Sequence, residues 1–201
     1  MTDVTLAILA GGEGSRMGLP KGQLRIGDEP ILAYLLRRIA WTGPTLLVTA
    51  PGREHPPGWE RFDREVMDPA AGQGPLRGVL TALENATTSI VAVTTVDMPN
   101  VRGAHLQWLA AQLHDAPNTT ALMLRREAEV EPFPAAYRAS AAGAICAQLD
   151  ANRLSVRALT GQAGFDTVPA PREWDEHALW TNLNRPEELA AFLKRPSCAD
   201  R

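Results

Sequence analysis

A nearly continuous apolar run, Val4 to Leu9, passes directly into a turn carrying four glycines within eight positions, Gly11, Gly12, Gly14 and Gly18. That junction constrains the fold more than any other feature. An apolar run without alternation fits a parallel strand buried on both faces. A strand of that kind ends at a sheet edge, and glycines there expose backbone N–H groups and permit positive φ. Arg16 and Lys21 add two cations to the same turn. A loop so built suits an anion, and the plain alternative is a flexible turn with solvated charges.

The rest of the chain alternates short strand-like runs with helical ones. Ile31, Leu32, Leu35, Leu36 and Ile39 recur at helical spacing behind Pro30, which suits a first helical turn. The spacing predicts strands at Thr45–Ala50, Glu65–Met67, Ile90–Val96, Thr119–Leu124, Phe133–Tyr137 and Phe165–Val168. Helices are predicted at Leu76–Asn85, Gly103–His114, Ala139–Leu149, Ser155–Leu159 and Pro186–Lys194. This is an α/β domain, with a mostly parallel Rossmann-like sheet and helices on both faces. In such sheets ligands bind beyond the carboxyl ends of the strands.

Composition removes several functions. The 201 residues suit one domain, and the formal charge of −3 offers no basic stripe for nucleic acid. Two cysteines, Cys146 and Cys198, make no disulfide framework or zinc motif, and none of the four histidines pairs at ligand spacing. The apolar run after Met1 is too short for a membrane span and lacks a basic leader, so a cytoplasmic protein without a membrane partner is expected.

The glycine turn fails two common motifs. Lys21 follows Pro20 and precedes Gly22, which breaks the P-loop pattern, and Met17 stands where a dinucleotide fingerprint needs glycine. Asp97 ends the apolar strand Ile90–Val96, where a hard oxygen ligand can hold Mg²⁺ against phosphate oxygens; a turn or capping aspartate is the alternative. Asp68 opens Pro69-Ala70-Ala71-Gly72 and reads on chemistry alone as a turn residue. Asn184, with Glu187 three residues on, makes a ready helix N-cap, whereas Asn182 lacks such a role and is the better candidate to face a site.

Taken together, Leu9-Ala10-Gly11-Gly12, Arg16-Met17-Gly18 and Lys21 resemble the signature of nucleoside triphosphate transferases of the nucleotide-diphospho-sugar fold. Gly74-Pro75-Leu76-Arg77-Gly78, Asp97-Met98-Pro99, Ser155-Val156-Arg157 and Asn182-Leu183-Asn184-Arg185-Pro186-Glu187-Glu188-Leu189 extend the likeness to the molybdenum cofactor guanylyltransferase family. The resemblance implies one nucleotidyltransferase domain over 1–201: a nucleotide-binding half at 1–100, an acceptor-binding half at 101–195 and a tail at 196–201. It implies GTP and molybdenum–molybdopterin as substrates, with transient contact to proteins that deliver or receive the cofactor. It assigns nucleotide contacts to Leu9, Ala10, Gly11, Gly12, Lys21, Asp68 and Asp97, catalytic roles to Lys21, Arg16 and Asp97, and Mg²⁺ to Asp97. Asn182 and Asn184 fall on the acceptor side.

The expected chemistry needs no strong base, because an acceptor phosphate is already ionised. Holding two anions together and stabilising the leaving pyrophosphate is the task. Two positions depart from the family: Pro20 replaces an acidic residue before the lysine, and Val48-Thr49-Ala50-Pro51-Gly52-Arg53 lacks a loop asparagine. A cytidylyltransferase for molybdopterin, a sugar-phosphate nucleotidyltransferase and a nucleotide-binding module without turnover are the rival readings.

Overall fold

The computed structural model describes residues 3–12, 14, 16–176 and 178–194. Glu13, read from sequence as outward-facing and without a role, His177 and the tail with Cys198 lie outside the described residues.

A seven-stranded sheet organises the chain. In chain order its strands are β1 (Val4–Leu9), β4 (Thr45–Thr49), β5 (Arg64–Met67), β6 (Ile90–Thr95), β7 (Ala121–Arg126), β8 (Glu129–Arg138) and β9 (Phe165–Pro169), while β2 (Arg25–Ile26) and β3 (Glu29–Pro30) pair separately. The spatial order is β5-β4-β1-β6-β8-β7-β9. β8 runs antiparallel to both of its neighbours, β6 and β7, and every other pairing in this sheet is parallel. The sheet is therefore mixed, with a single reversed strand. β7 and β8 are joined through the two residues Glu127 and Ala128, which forces an antiparallel pair.

Among the described residues six α-helices complete the fold: α1 (Ile31–Ile39), α2 (Gly74–Asn85), α3 (Gly103–His114), α4 (Ala142–Asp150), α5 (Glu173–Glu176) and α6 (Pro186–Lys194). From β1 the chain crosses through α1 to β4 on one side, and from β5 it crosses back through α2 to β6 on the other. Right-handed crossovers in opposite directions put α1 and α2 on opposite faces. The direction of winding reverses between β1 and β6. A crevice opens there at the carboxyl ends of both strands, and it is the position where open α/β sheets take ligands. No helix among the described residues is long and apolar enough to cross a membrane.

The core explains the lack of alternation in the central strands. All six residues of β1 are buried, as are Ile90 to Thr94 of β6, because helices cover both faces. Two glycines set how closely helices approach. A Cβ on Gly78 of α2 would stand 3.3 Å from Leu9 Cδ2, and one on Gly103 at the start of α3 would stand 2.4 Å from the Ile39 carbonyl oxygen. Gly143 in α4 has nothing within 4 Å of its Cβ position.

These spaces give opposite predictions for the same chemical change. Gly103→Ala drives a methyl into fixed backbone at the end of α1 and should cost about 1–3 kcal/mol. Gly143→Ala removes backbone freedom from the unfolded chain in open space and should gain up to about 1 kcal/mol. Chemical denaturation of the two variants checks both signs.

Candidate active site

The turn after β1 is held open by its own glycines. Gly14 sits at φ +60°, and a Cβ there would stand 1.9 Å from the Leu19 carbonyl oxygen, so the turn requires glycine. The Met17 N–H donates to the Gly14 carbonyl at 2.7 Å, and the chain then runs into a single 3₁₀ turn at Lys21–Gln23. The Val96 N–H donates to the Leu9 carbonyl at 3.0 Å, joining the end of β6 to the end of β1. The glycine turn and Asp97 are thereby fixed side by side.

Lys21 and Asp97 meet across this seam. The Lys21 ammonium donates to Asp97 Oδ2, and it also donates to Asn184 Oδ1 at 2.5 Å. Their side chains are 20% and 10% exposed, so the pair is shielded from water without being sealed. A carboxylate at that depth needs a cation, and Lys21 provides it. Asn184 arrives because the Leu183 N–H donates to the Asp97 carbonyl at 2.8 Å.

Asn184 differs from the expected N-cap. The α6 cap is made by Glu188, whose Oε2 accepts from the Asn184 and Arg185 N–H groups at 2.6 and 3.0 Å. Glu188 is the residue that completes the first turn of a helix starting at Pro186, which frees the Asn184 carboxamide to face Lys21. Asn182, expected to be the better site residue, donates to the Trp180 carbonyl at 3.0 Å, though it still borders the cavity.

A cavity of about 740 Å³ runs from this cluster across the crevice. Leu9, Gly11, Gly12 and Lys21 line it together with Ala50, Arg53 and Asp68 from the first half of the chain and Glu131, Phe133 and Arg157 from the second. Ala10 is buried beneath it, its N–H donating to the Val48 carbonyl at 2.8 Å. Arg16 is exposed on the turn and is not among the described residues lining the cavity. The N-terminus of α2 also opens here: Gly74 and Pro75 line the cavity, no side chain caps the helix, and its first turn carries no acidic residue. Free N–H groups and the helix dipole favour negative charge at such an end.

Asp68 does more than open a turn. One oxygen, Oδ1, accepts from Thr81 Oγ1 at 2.6 Å, and the other lies 3.7 Å from where a Gly11 Cβ would stand. Burial pushes its carboxyl above the usual aspartate range, against the Thr81 hydrogen bond and the charge of Arg77. Arg53, Glu131 and Phe133 are cavity residues that sequence reasoning passed over; Arg53 stood in plain view within the departing loop.

The donor set near Asp97 bears on a divalent cation. Among the described residues no group of three or more His, Cys, Asp or Glu side chains is placed to hold a metal. Asp97 with the neighbouring amide oxygen of Asn184 is instead the sparse, all-oxygen set that suits Mg²⁺ shared with phosphates and water. The residues present fit that mode and no protein-only cage.

The signature of the MobA-like NTP transferase domain matches residues 6–166. The chain belongs to this family. A protein from Deinococcus radiodurans named "Probable molybdenum cofactor guanylyltransferase" is 30% identical, covering 97% of this chain and 96% of its own length. The "Molybdenum cofactor guanylyltransferase" of Cereibacter sphaeroides is also 30% identical, over 91% of this chain and 92% of that one. In fold, the chain matches the molybdopterin-guanine dinucleotide biosynthesis protein A of Archaeoglobus fulgidus with a TM-score of 0.79 at 22% identity, covering 93% of this chain and 95% of that one. Family membership carries a nucleotidyltransferase reaction in its general form.

The raised Asp68 carboxyl predicts a pH-dependent stability. A folded pKa above the unfolded one favours folding at low pH, and that advantage is lost as pH rises through the folded value. Toward pH 7 the desolvated Asp68 therefore costs stability. Asp68→Asn should melt higher than wild type at pH 7, with the gain fading as pH falls through the carboxylate range. Thermal melts between pH 3 and 7 check the sign.

Proposed function

We propose that the chain is a magnesium-dependent guanylyltransferase. It transfers GMP from GTP to the terminal phosphate of molybdenum–molybdopterin, forming molybdopterin guanine dinucleotide and pyrophosphate. The observation that carries this reading is the meeting of Lys21, Asp97 and Asn184 above the glycine turn, at the point where the sheet reverses direction. Guanine and pterin follow from the names of the relatives that span nearly the whole chain.

Residues from both halves of the chain line one cavity, which supports a nucleotide-binding half at 1–100 and an acceptor-binding half at 101–195. Gly11 and Gly12 position the nucleotide through backbone groups, Leu9 lines the cavity beside them, Ala10 supports the turn from beneath, and Asp68 contacts the nucleotide from the wall. Asn182 and Asn184 face the acceptor. Asp97 would hold Mg²⁺ together with phosphate oxygens; when bound, the ion neutralises charge on the phosphates and leaving group. Arg16 adds positive potential from the exposed side of the turn. The free thiol of Cys146 suits a cytoplasmic setting.

The resting ion pair gives Lys21 its task. A polyphosphate drawn into the crevice competes with Asp97 for the ammonium, and Lys21 then holds phosphate oxygens. An acceptor phosphate oxygen attacks the α-phosphorus, the new P–O bond forms, and the bond to the bridging oxygen breaks. Pyrophosphate leaves with that electron pair. Lys21 stabilises the charge that grows on the leaving group, so positioning and electrostatics supply the rate. No covalent enzyme intermediate is required.

Pyrophosphate release in the presence of molybdopterin, with GTP, CTP, ATP and UTP compared at equal magnesium, tests the reading. GTP should be used in preference; preference for CTP would make the chain a cytidylyltransferase on the same scaffold. Lys21→Ala should fold and lose roughly tenfold to a hundredfold in nucleotide binding or turnover, the size of one charge-assisted contact. Unchanged kinetics would return the glycine turn to a solvated loop.

A further inference from the structure

The loop after β4 carries a cation that neither the family signature nor the expected site accounts for. Arg53 lines the cavity, and its Nη1 donates to the Gly12 carbonyl at 3.3 Å. The same carbonyl accepts the Lys21 N–H at 3.4 Å. The guanidinium is thereby laid against the glycine turn, on the side from which Lys21 also approaches.

Charge within the cavity is balanced, and the pairing is uneven. The lining residues include three carboxylates, Asp68, Asp97 and Glu131, and three cations, Lys21, Arg53 and Arg157. Lys21 is bound to Asp97, and Arg157 lies 3.9 Å from Glu131 while donating to the Val130 carbonyl at 2.7 Å. Among the described residues Arg53 makes no ion pair, and its one hydrogen bond goes to a backbone carbonyl. A guanidinium has five N–H donors in a planar fork that matches phosphate. Most of them are unspent here.

The backbone that presents Arg53 is braced on both sides. Ahead of β5, His55 stacks on Trp59 with ring centroids 4.3 Å apart and bonds to Glu65, whose other oxygen accepts from Thr49 Oγ1 at 2.9 Å. Toward the glycine turn, Pro56 packs so closely on Gly22 that a Cβ there would stand 3.0 Å from Pro56 Cβ. The loop is therefore docked on the Lys21 turn rather than hanging in solvent.

We propose that Arg53 is a second polyphosphate clamp, which binds the phosphates beyond the α-phosphate of the incoming nucleoside triphosphate and, after transfer, holds the leaving pyrophosphate. Lys21 must exchange Asp97 for phosphate, whereas Arg53 has no ion pair to break among the described residues. It faces the same glycine turn, so a polyphosphate can engage it before Lys21 is released from Asp97. This inference rests on the nucleotidyltransferase reading and is independent of which base is used.

Binding of GTP and of GMP to wild type, Arg53→Gln and Arg53→Lys, at fixed magnesium, separates the outcomes. Arg53→Gln should weaken GTP on the order of tenfold or more, leave GMP within about twofold, and melt like wild type without ligand. Arg53→Lys should recover part of the GTP loss, because it keeps the charge and loses the fork. Equal loss for GTP and GMP, or unchanged GTP affinity, would overturn the clamp in favour of a base contact or a loop-bracing role. Should wild type prefer another base, the guanine reading fails, and that base's tri- and monophosphates give the same comparison. A wild type that binds no nucleoside triphosphate would overturn both readings.

Discussion

The ion pair between Lys21 and Asp97 is the interaction on which the rest of the site depends. It joins the first crossover of the sheet to the second: Lys21 comes from the turn after β1, Asp97 from the end of β6, and the two strands are hydrogen-bonded neighbours. Because winding reverses between them, no helix covers that edge, and a crevice is left in which this cation and this anion meet. A partly buried charge of either sign alone would be costly. Paired, each offsets the other's burial, and both remain available to a ligand that brings its own charges.

That arrangement explains how one site can serve opposite needs. Polyphosphate wants Lys21, and a divalent cation wants Asp97, so a magnesium–nucleotide complex offers each member of the pair a replacement partner. The carboxamide of Asn184 adds a neutral acceptor to the pair, and the N-terminus of α2 adds the partial positive charge of its free N–H groups. Asp68 contributes a different element: its desolvated carboxyl is a standing cost, retained on the cavity wall beside Gly11. Groups kept at the expense of stability are often ones a ligand uses.

Much of this was legible in the sequence because the signals were local. Val4–Leu9 and Pro186–Lys194 fall at the ends that apolar runs and proline dictate. The glycine turn and Asp97 each follow a buried strand, so their common edge was readable before any coordinates. The reversed strand β8 was less so. Its first half, Glu129–Pro132, is half-exposed and carries two glutamates and a proline, and it is held as strand by hairpin pairing with β7 rather than by its own residue preferences. The capping role expected of Asn184 falls to another residue. Capping motifs read along the chain favoured Glu187, but the helix starts at Pro186 and brings Glu188 into register, which hands the asparagine to Lys21. Arg53 lies in the departing loop that the sequence displays, but its significance rests on which neighbouring cations are already paired, and spacing carries no record of that.

The central claim is that Lys21 and Asp97 rest as a pair that magnesium and nucleotide together take apart. The most direct test is the affinity of wild type and Asp97→Asn for GTP across a magnesium titration, with pyrophosphate release followed in the same samples. Asp97→Asn keeps the size and one acceptor oxygen but frees the lysine. Without magnesium the variant should bind GTP as well as wild type or better; adding magnesium should strengthen wild type alone, and turnover of the variant should fall by at least about a hundredfold. An equal loss of affinity with and without magnesium, or near-normal turnover at low magnesium, would contradict the account and place the metal on another residue.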